Sequence, residues 1–163
     1  MLDKTLAIDK VELDNLEKTV CIDDLLQPVV HLRCPKYKVS VFVREKIHDE
    51  LMDFLGGKGI NPKFVPGDIN YRYDKLSAIA AVIYQNRYRD ELYRKEQNNP
   101  VITAMKFMDK GRNDRIYCRE IAFEEGKQVI ICEIHSGKKN QENRKKEKNI
   151  IKKVAGYEFK IQS

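Results

Sequence analysis

The stretch from Ala104 to Lys139, AMKFMDKGRNDRIYCREIAFEEGKQVIICEIHSGKK, constrains this chain most. Apolar residues recur at a period of two or in short runs, and turn residues punctuate them. Strands are predicted at 101–108, 115–123 and 128–135. DKGRND (109–114) and Glu124-Glu125-Gly126-Lys127 are the turns between them. QVIICEI is apolar on both faces as far as Cys132, which suits a central strand. One edge of the ribbon carries Arg112, Arg115, Tyr117, Arg119, Glu133, His135, Lys138 and Lys139, side chains suited to holding an RNA backbone.

A register follows from the faces. Ile116, Cys118 and Ala122 form the small apolar set of their strand, and pairing them with Ile134, Cys132 and Ile130 keeps one face apolar. Tyr117 then lies opposite Glu133, and Arg115 opposite His135, on the other face. A slip of one residue would destroy this cluster. The same register brings Cys118 near Cys132, both expected as free thiols.

Around this ribbon the chain reads in order. Residues 2–26 suggest one or two short acidic helices ending at Gln27-Pro28, able to cap a sheet edge, dimerise or cover a basic face. Tyr37–Val43 alternates as a strand. Arg44–Leu55 is an amphipathic helix closed by Gly56-Gly57. The GGKG that follows is a flexible cap, because a Walker loop needs a strand before it and Ser or Thr after the Lys. Asn61–Asn70 reads as loop. Tyr71–Glu96 reads as a long helix with Leu76, Ile79, Ala80, Ile83 and Leu92 inward and Asp74 or Ser77 as cap. Arg87, Tyr88 and Arg89 within it suit single-stranded RNA, since Tyr and Arg planes stack on unpaired bases. Equally, tyrosines there could pack in the core, as expected for Tyr84. Asn140–Ala155 is a basic helix capped by Asn140 and stopped by Gly156, and YEFKI (157–161) a short edge strand.

Charge is unevenly spread. Residues 1–30 hold three Lys against seven acids, whereas residues 135–163 hold nine Lys/Arg against three Glu. A basic C-terminal part suggests a polyanion partner, although a solvated helix face would look the same. No apolar run approaches the roughly 20 residues of a membrane span. The acidic start is unlike a signal peptide, so a soluble cytoplasmic protein is expected. The four cysteines have neither zinc-finger spacing nor a CxxC pair, and no metal or other cofactor is expected.

The order strand, helix, helix, three strands, helix, carried by YKVSVFVREKIHDELMDFL and by RNDRIYCREIAFEEGKQVIICEIHSGKKNQENRKKEKNIIKK, resembles the RelE/ParE superfamily of bacterial toxins, most closely its HigB-like branch. The resemblance spans roughly residues 37–161. It implies an α+β fold with a small antiparallel sheet and helices packed on one face. The chain would divide into an acidic N-terminal extension, 1–35, and a RelE-like domain, 36–163. The extension and a long middle from Gly56 to Pro100 depart from the family pattern.

The activity implied is that of a type II toxin: metal-independent cleavage of mRNA on the ribosome by attack of a ribose 2′-OH on its own 3′-phosphate. A cognate antitoxin would be the protein partner. Arg115, Arg119 and Lys138, with Lys139, would clamp the phosphate. His135 would be the acid or base, and Glu133 a base or an orienting group. Tyr117 and Tyr157 would stack on a base or hold the backbone, with Arg112, Arg144 and Lys145 extending the RNA path. Arg115 and Arg119 could instead be solvent-face strand residues, and His135 a strand-end hydrogen bonder. A non-catalytic nucleic-acid-binding protein and a ParE-like gyrase inhibitor are the alternatives.

Overall fold

The computed structural model describes residues 18–26, 33–56, 66–109, 112–136 and 144–161. Its strands are β1 (Thr19–Cys21), β2 (Lys38–Arg44), β3 (Tyr93–Lys95), β4 (Ile102–Asp109), β5 (Arg112–Phe123) and β6 (Gly126–His135). Its helices are α1 (His48–Phe54), α2 (Pro66–Tyr84) and α3 (Arg144–Ala155). The fold is α+β. The six strands form one sheet in the order β1-β2-β6-β5-β4-β3.

The sheet is mixed, not antiparallel as the resemblance implied. β2 runs parallel to β6, with Val41 beside Val129, while every other pair is antiparallel. Burial is consistent with this: β2 and β6 both carry buried apolar residues on each face, and parallel pairs need that double cover. The cover comes from both sides, which corrects the expected one-sided packing. Leu51 and Phe54 of α1 and Leu76, Ile79 and Ile83 of α2 pack on Val39, Val41, Val43, Met105, Phe107, Ile116, Cys118, Val129 and Ile131. Val154 of α3, with Ile150 and Ile151, packs on Phe42, Ile102, Ala104, Tyr117, Ile130 and Cys132. Strand alternation places these two sets on opposite faces.

Two local devices hold the sheet together. Gly126 opens β6 directly against β2, and a Cβ there would sit 1.8 Å from the Lys38 carbonyl oxygen. A β-bulge interrupts the β5–β6 ladder between Tyr117 and Cys118. On the far side of it Arg115, Ile116 and Tyr117 pair with His135, Ile134 and Glu133, as the sequence predicts. Past the bulge Cys118 faces Ile131, Arg119 faces Ile130 and Ala122 faces Lys127, so the expected Cys118–Cys132 and Ala122–Ile130 pairs are not formed, although Cys132 stays close enough for its charge to be felt at Cys118. The extra residue in β6 moves Cys132 to the face of Tyr117, while Cys118 stays on the opposite one.

The predicted helix 71–96 divides. α2 begins at Pro66, inside the expected loop, with Pro at its favoured first position, so Asp74 and Ser77 are interior residues and not caps. It ends at Tyr84 in a Schellman closure: Arg87 N–H bonds Val82 O, Asn86 N–H bonds Ile83 O, and Asn86 takes φ 57°. The physical reason is the run Gln85–Asp90, which offers Tyr88 alone as an apolar body, so the helix loses its buried stripe. Leu92 is buried beyond that break, and Tyr93 enters β3 instead. Between β2 and α1 the backbone makes a 3-10 turn, Glu45–Ile47, where helix was expected.

The described part of the acidic segment holds no α-helix. Thr19–Cys21 is an edge strand, followed by a 3-10 turn at Asp23–Leu26. Asp23 fastens it: its carboxylate accepts from the Val41 N–H at 2.9 Å, from Arg33 at 2.8 Å and from the Tyr84 hydroxyl. Tyr84 is fully buried, as expected. Covering a sheet edge was one of the roles the sequence left open for this segment. Residues 157–161 are irregular, not a strand; Tyr157 and Phe159 pack edge to face at 6.0 Å against the α3 layer. Asn140 and Gly57–Gly59 lie outside the described residues.

Candidate nucleic-acid interface

The ribbon face that carries the sequence-selected residues lies under α3. Arg115, Tyr117, Arg119, Glu133 and His135 do share this face, through the pairs Arg115–His135 and Tyr117–Glu133. They are not presented to solvent. Tyr117 is fully buried, His135 is 1% exposed, and the Arg115 side chain is 11% exposed.

Each group is engaged with the fold. Tyr117 donates to Glu147 of α3 at 2.7 Å, and burial together with that carboxylate pushes its hydroxyl well above the usual tyrosine range. Arg115 lies 3.6 Å from both Glu147 and Glu96. Glu133 takes an ion pair from Arg44 at 2.7 Å, a hydrogen bond from Tyr157 at 2.8 Å and an ion pair from Lys153 at 3.2 Å. The Arg44 guanidinium also stacks 4.3 Å over the Tyr157 ring. Arg119 donates to the carbonyls of Val154, Ala155 and Tyr157, where a cation satisfies the last turn of α3 and its dipole. These contacts join α3 to the sheet.

Beside this latch sits a denser charge cluster. Lys106 is the cross-strand neighbour of Arg115, and Arg94 is close enough for its charge to be felt. Burial and then the charges of Arg94 and Arg115 hold the Lys106 ammonium below the usual lysine range. Glu96 and Glu147 both lie against Arg115, and Lys106 donates to the Asp90 carbonyl at 3.0 Å.

The remaining sequence-selected residues scatter. Arg87 and Arg89 are exposed in the segment after α2, where Arg89 pairs with Glu91. Tyr88 lies on the opposite face of the sheet, donating to Glu120 at 2.6 Å. Tyr157 braces Glu133, as above. Lys145 is exposed on α3. Arg112 and Arg144 are placed only as the first residues of β5 and α3. Lys138 and Lys139 lie outside the described residues.

Sequence reasoning missed Arg44, Glu96, Lys106 and Glu147. Arg44 was readable from β2 parity, since it shares a face with Phe42. Glu147 is the one acid of the observed helix Arg144–Ala155, a span shorter than the one read from the sequence. Among the described residues no cluster of His, Cys, Asp and Glu could hold a metal ion, and no helix is long and apolar enough to cross a membrane. Comparison with protein-family models, with curated proteins and with solved structures returns no match. No comparison identifies a member of the RelE/ParE superfamily.

Proposed function

We propose that the protein binds single-stranded RNA along the outer face of α3. The carrying observation is the way that helix divides its charge. Ile150, Ile151 and Val154 face the sheet, and its one acid, Glu147, turns inward to Tyr117 and Arg115. Lys145, Lys146, Lys148 and Lys152 are left exposed on the outside, while Lys153 reaches back to Glu133. Lys145 and Lys152 are about 10 Å apart along the axis at 1.5 Å per residue, a span that reaches successive phosphates. Phosphate neutralisation by lysines gives strong, salt-dependent binding without a sequence code. In titrations against an unstructured RNA, joint reversal of Lys145, Lys148 and Lys152 to Glu should weaken binding at least tenfold. It should lower the salt slope by about 2, at roughly 0.7 per lost phosphate contact. Unchanged affinity and slope would remove α3 as the binding face.

Messenger RNA cleavage by a toxin of the RelE/HigB type, held in check by a cognate antitoxin, is the second reading. It is favoured by one observation: Arg94, Lys106 and Arg115 converge beside Tyr117 and His135. Like charges on neighbouring strands repel, and a phosphate would relieve them. This reading requires α3 to lift, because Tyr117 and His135 are buried beneath it. Its test is in vitro translation with the wild type, His135→Gln and Arg115→Ala. Messages cut by the wild type and spared by both variants would support it. Intact messages with blocked DNA supercoiling would point to the ParE-like alternative instead.

A further inference from the structure

A cleft of about 360 Å³ opens on the opposite face of the sheet from α3, near the ends of β4 and β5. Tyr37, Asn86, Tyr88, Lys95, Thr103 and Lys127 are among the residues lining it. Its volume lies at the small end of the range for ligand pockets. We propose that this cleft is a binding site for a mononucleotide, with the base stacked at Tyr88 and the phosphate held by Lys95 and Lys127.

The wall is built, not incidental. Tyr88 and Tyr93 stack with centroids 5.7 Å apart and planes 7° from parallel. Glu120 fixes both rings by accepting from each hydroxyl, and it also takes the Lys127 ammonium at 2.9 Å. Thr103 donates to the Tyr93 hydroxyl at 2.8 Å, which completes the anchor. The Lys127 side chain is 4% exposed and its charge sits 4.8 Å over the Tyr88 ring. The ammonium is paired with Glu120 and lies against the Tyr88 ring face. The exposed Lys95 approaches the same ring at 5.4 Å. Lys95 and Lys127 stand against Glu120, the one acid of the lining, so the cleft carries a net positive charge that favours an anion.

Two further observations select an aromatic anion. Tyr88 and Val101, at 42% and 51% exposure, are among the few large apolar residues left exposed, and both line this cleft. A rigid tyrosine with an apolar neighbour is a stacking platform. Asn86, held in the left-handed region by the end of α2, places an amide on the rim, a group that can donate to and accept from a base edge.

Titration of the full chain by NMR or calorimetry with AMP, GMP, CMP and UMP tests this, with adenosine and ribose 5-phosphate as the half-ligands. At least one mononucleotide should bind, each half-ligand tenfold or more weakly. Lys95→Glu and Tyr88→Ala should each reduce affinity at least tenfold, while Glu50→Gln on the exposed side of α1 should leave it unchanged. Lys95 is exposed, so loss of binding in Lys95→Glu is not a folding defect. Equal binding of ribose 5-phosphate would overturn the base-stacking half, and no binding at millimolar mononucleotide would overturn the whole. The outcome is separable from RNA binding: mononucleotide binding without RNA binding leaves the cleft standing and removes the α3 reading, and the reverse result removes the cleft alone.

Discussion

The two faces of the sheet are stabilised in different ways. The face under α1 and α2 is a continuous apolar layer, with Val39, Val43, Leu51, Ile79, Ile116 and Ile131 all fully buried. The face under α3 has a smaller apolar centre ringed by ions and hydrogen bonds, from Arg44–Glu133 to Tyr117–Glu147. Apolar burial is non-directional and tolerates small shifts. Buried polar groups are held only while their partners stay in place. The first face therefore acts as the foundation and the second as a docked, address-specific attachment for one helix.

Substitutions can separate the two. The largest loss is expected on the apolar face, where Leu51→Ala or Ile79→Ala should cost about 3–4 kcal/mol in denaturant unfolding through lost burial and the cavity left behind. Gly126→Ala should cost about 3 kcal/mol, since its Cβ would meet backbone and not a flexible side chain. Arg44→Ala should come next, at about 2–3 kcal/mol, because it strips the nearest cation from a mostly buried Glu133, which keeps Lys153 and Tyr157. A cost near zero for Arg44→Ala would mean that the polar ring does not hold α3. Tyr117→Phe should cost about 1 kcal/mol, one buried hydrogen bond, with Arg115 still beside Glu147. Lys148→Glu, on the outer side of α3, should leave stability unchanged within about 0.5 kcal/mol while weakening RNA binding.

Alkaline titration sharpens the same contrast. Tyr84, Tyr93 and Tyr117 are held above their ordinary value of 10.0, first by burial and then by the carboxylates they donate to. Their protonated forms belong to the folded state, so this stabilisation is complete below pH 10. It is lost as pH rises beyond it, where the unfolded chain releases protons that the folded one keeps. Unfolding followed by circular dichroism should show a steep stability decline starting near pH 10, and Tyr117→Phe should make it shallower. The thiols give a milder check. Cys132 is pushed up to about 12 by burial, and Cys118 also lies well above its ordinary range, so neither should react with a thiol reagent at pH 8 while the fold is intact.

The hairpin of β5 and β6 was legible because period-two alternation fixes parity. Arg115–His135 and Tyr117–Glu133 followed directly from it. Parity holds only while residues count equally on both strands, and the bulge at Cys132 breaks that count with nothing in QVIICEI to mark it. The helix ending at Tyr84 was misjudged in length because Leu92 and Tyr93 continue to look apolar after the helix has stopped. Their burial comes from β4, a partner remote from local propensity. The candidate site was legible as a set of neighbours but not as a surface. Sequence patterns report which residues share a face, whereas exposure depends on whether another element lands there, and α3 does.

The parallel contact between β2 and β6 bears on when the protein can fold. Lys38–Val43 finds its partner at Gly126–Ile131, with residues 44–125, about half of the chain, between them. Until that part has left the ribosome, β2 has only the three-residue β1 beside it, and its apolar edge stays open. Loop closure of that size slows the search, and an unpaired apolar strand invites association with other chains. The hairpin of β5 and β6, by contrast, closes locally through Glu124 and Glu125. The order of assembly is thus expected to run from the C-terminal ribbon back to the N-terminal strand, so that a chain stopped before Gly126 would lack the rail on which its first half is laid.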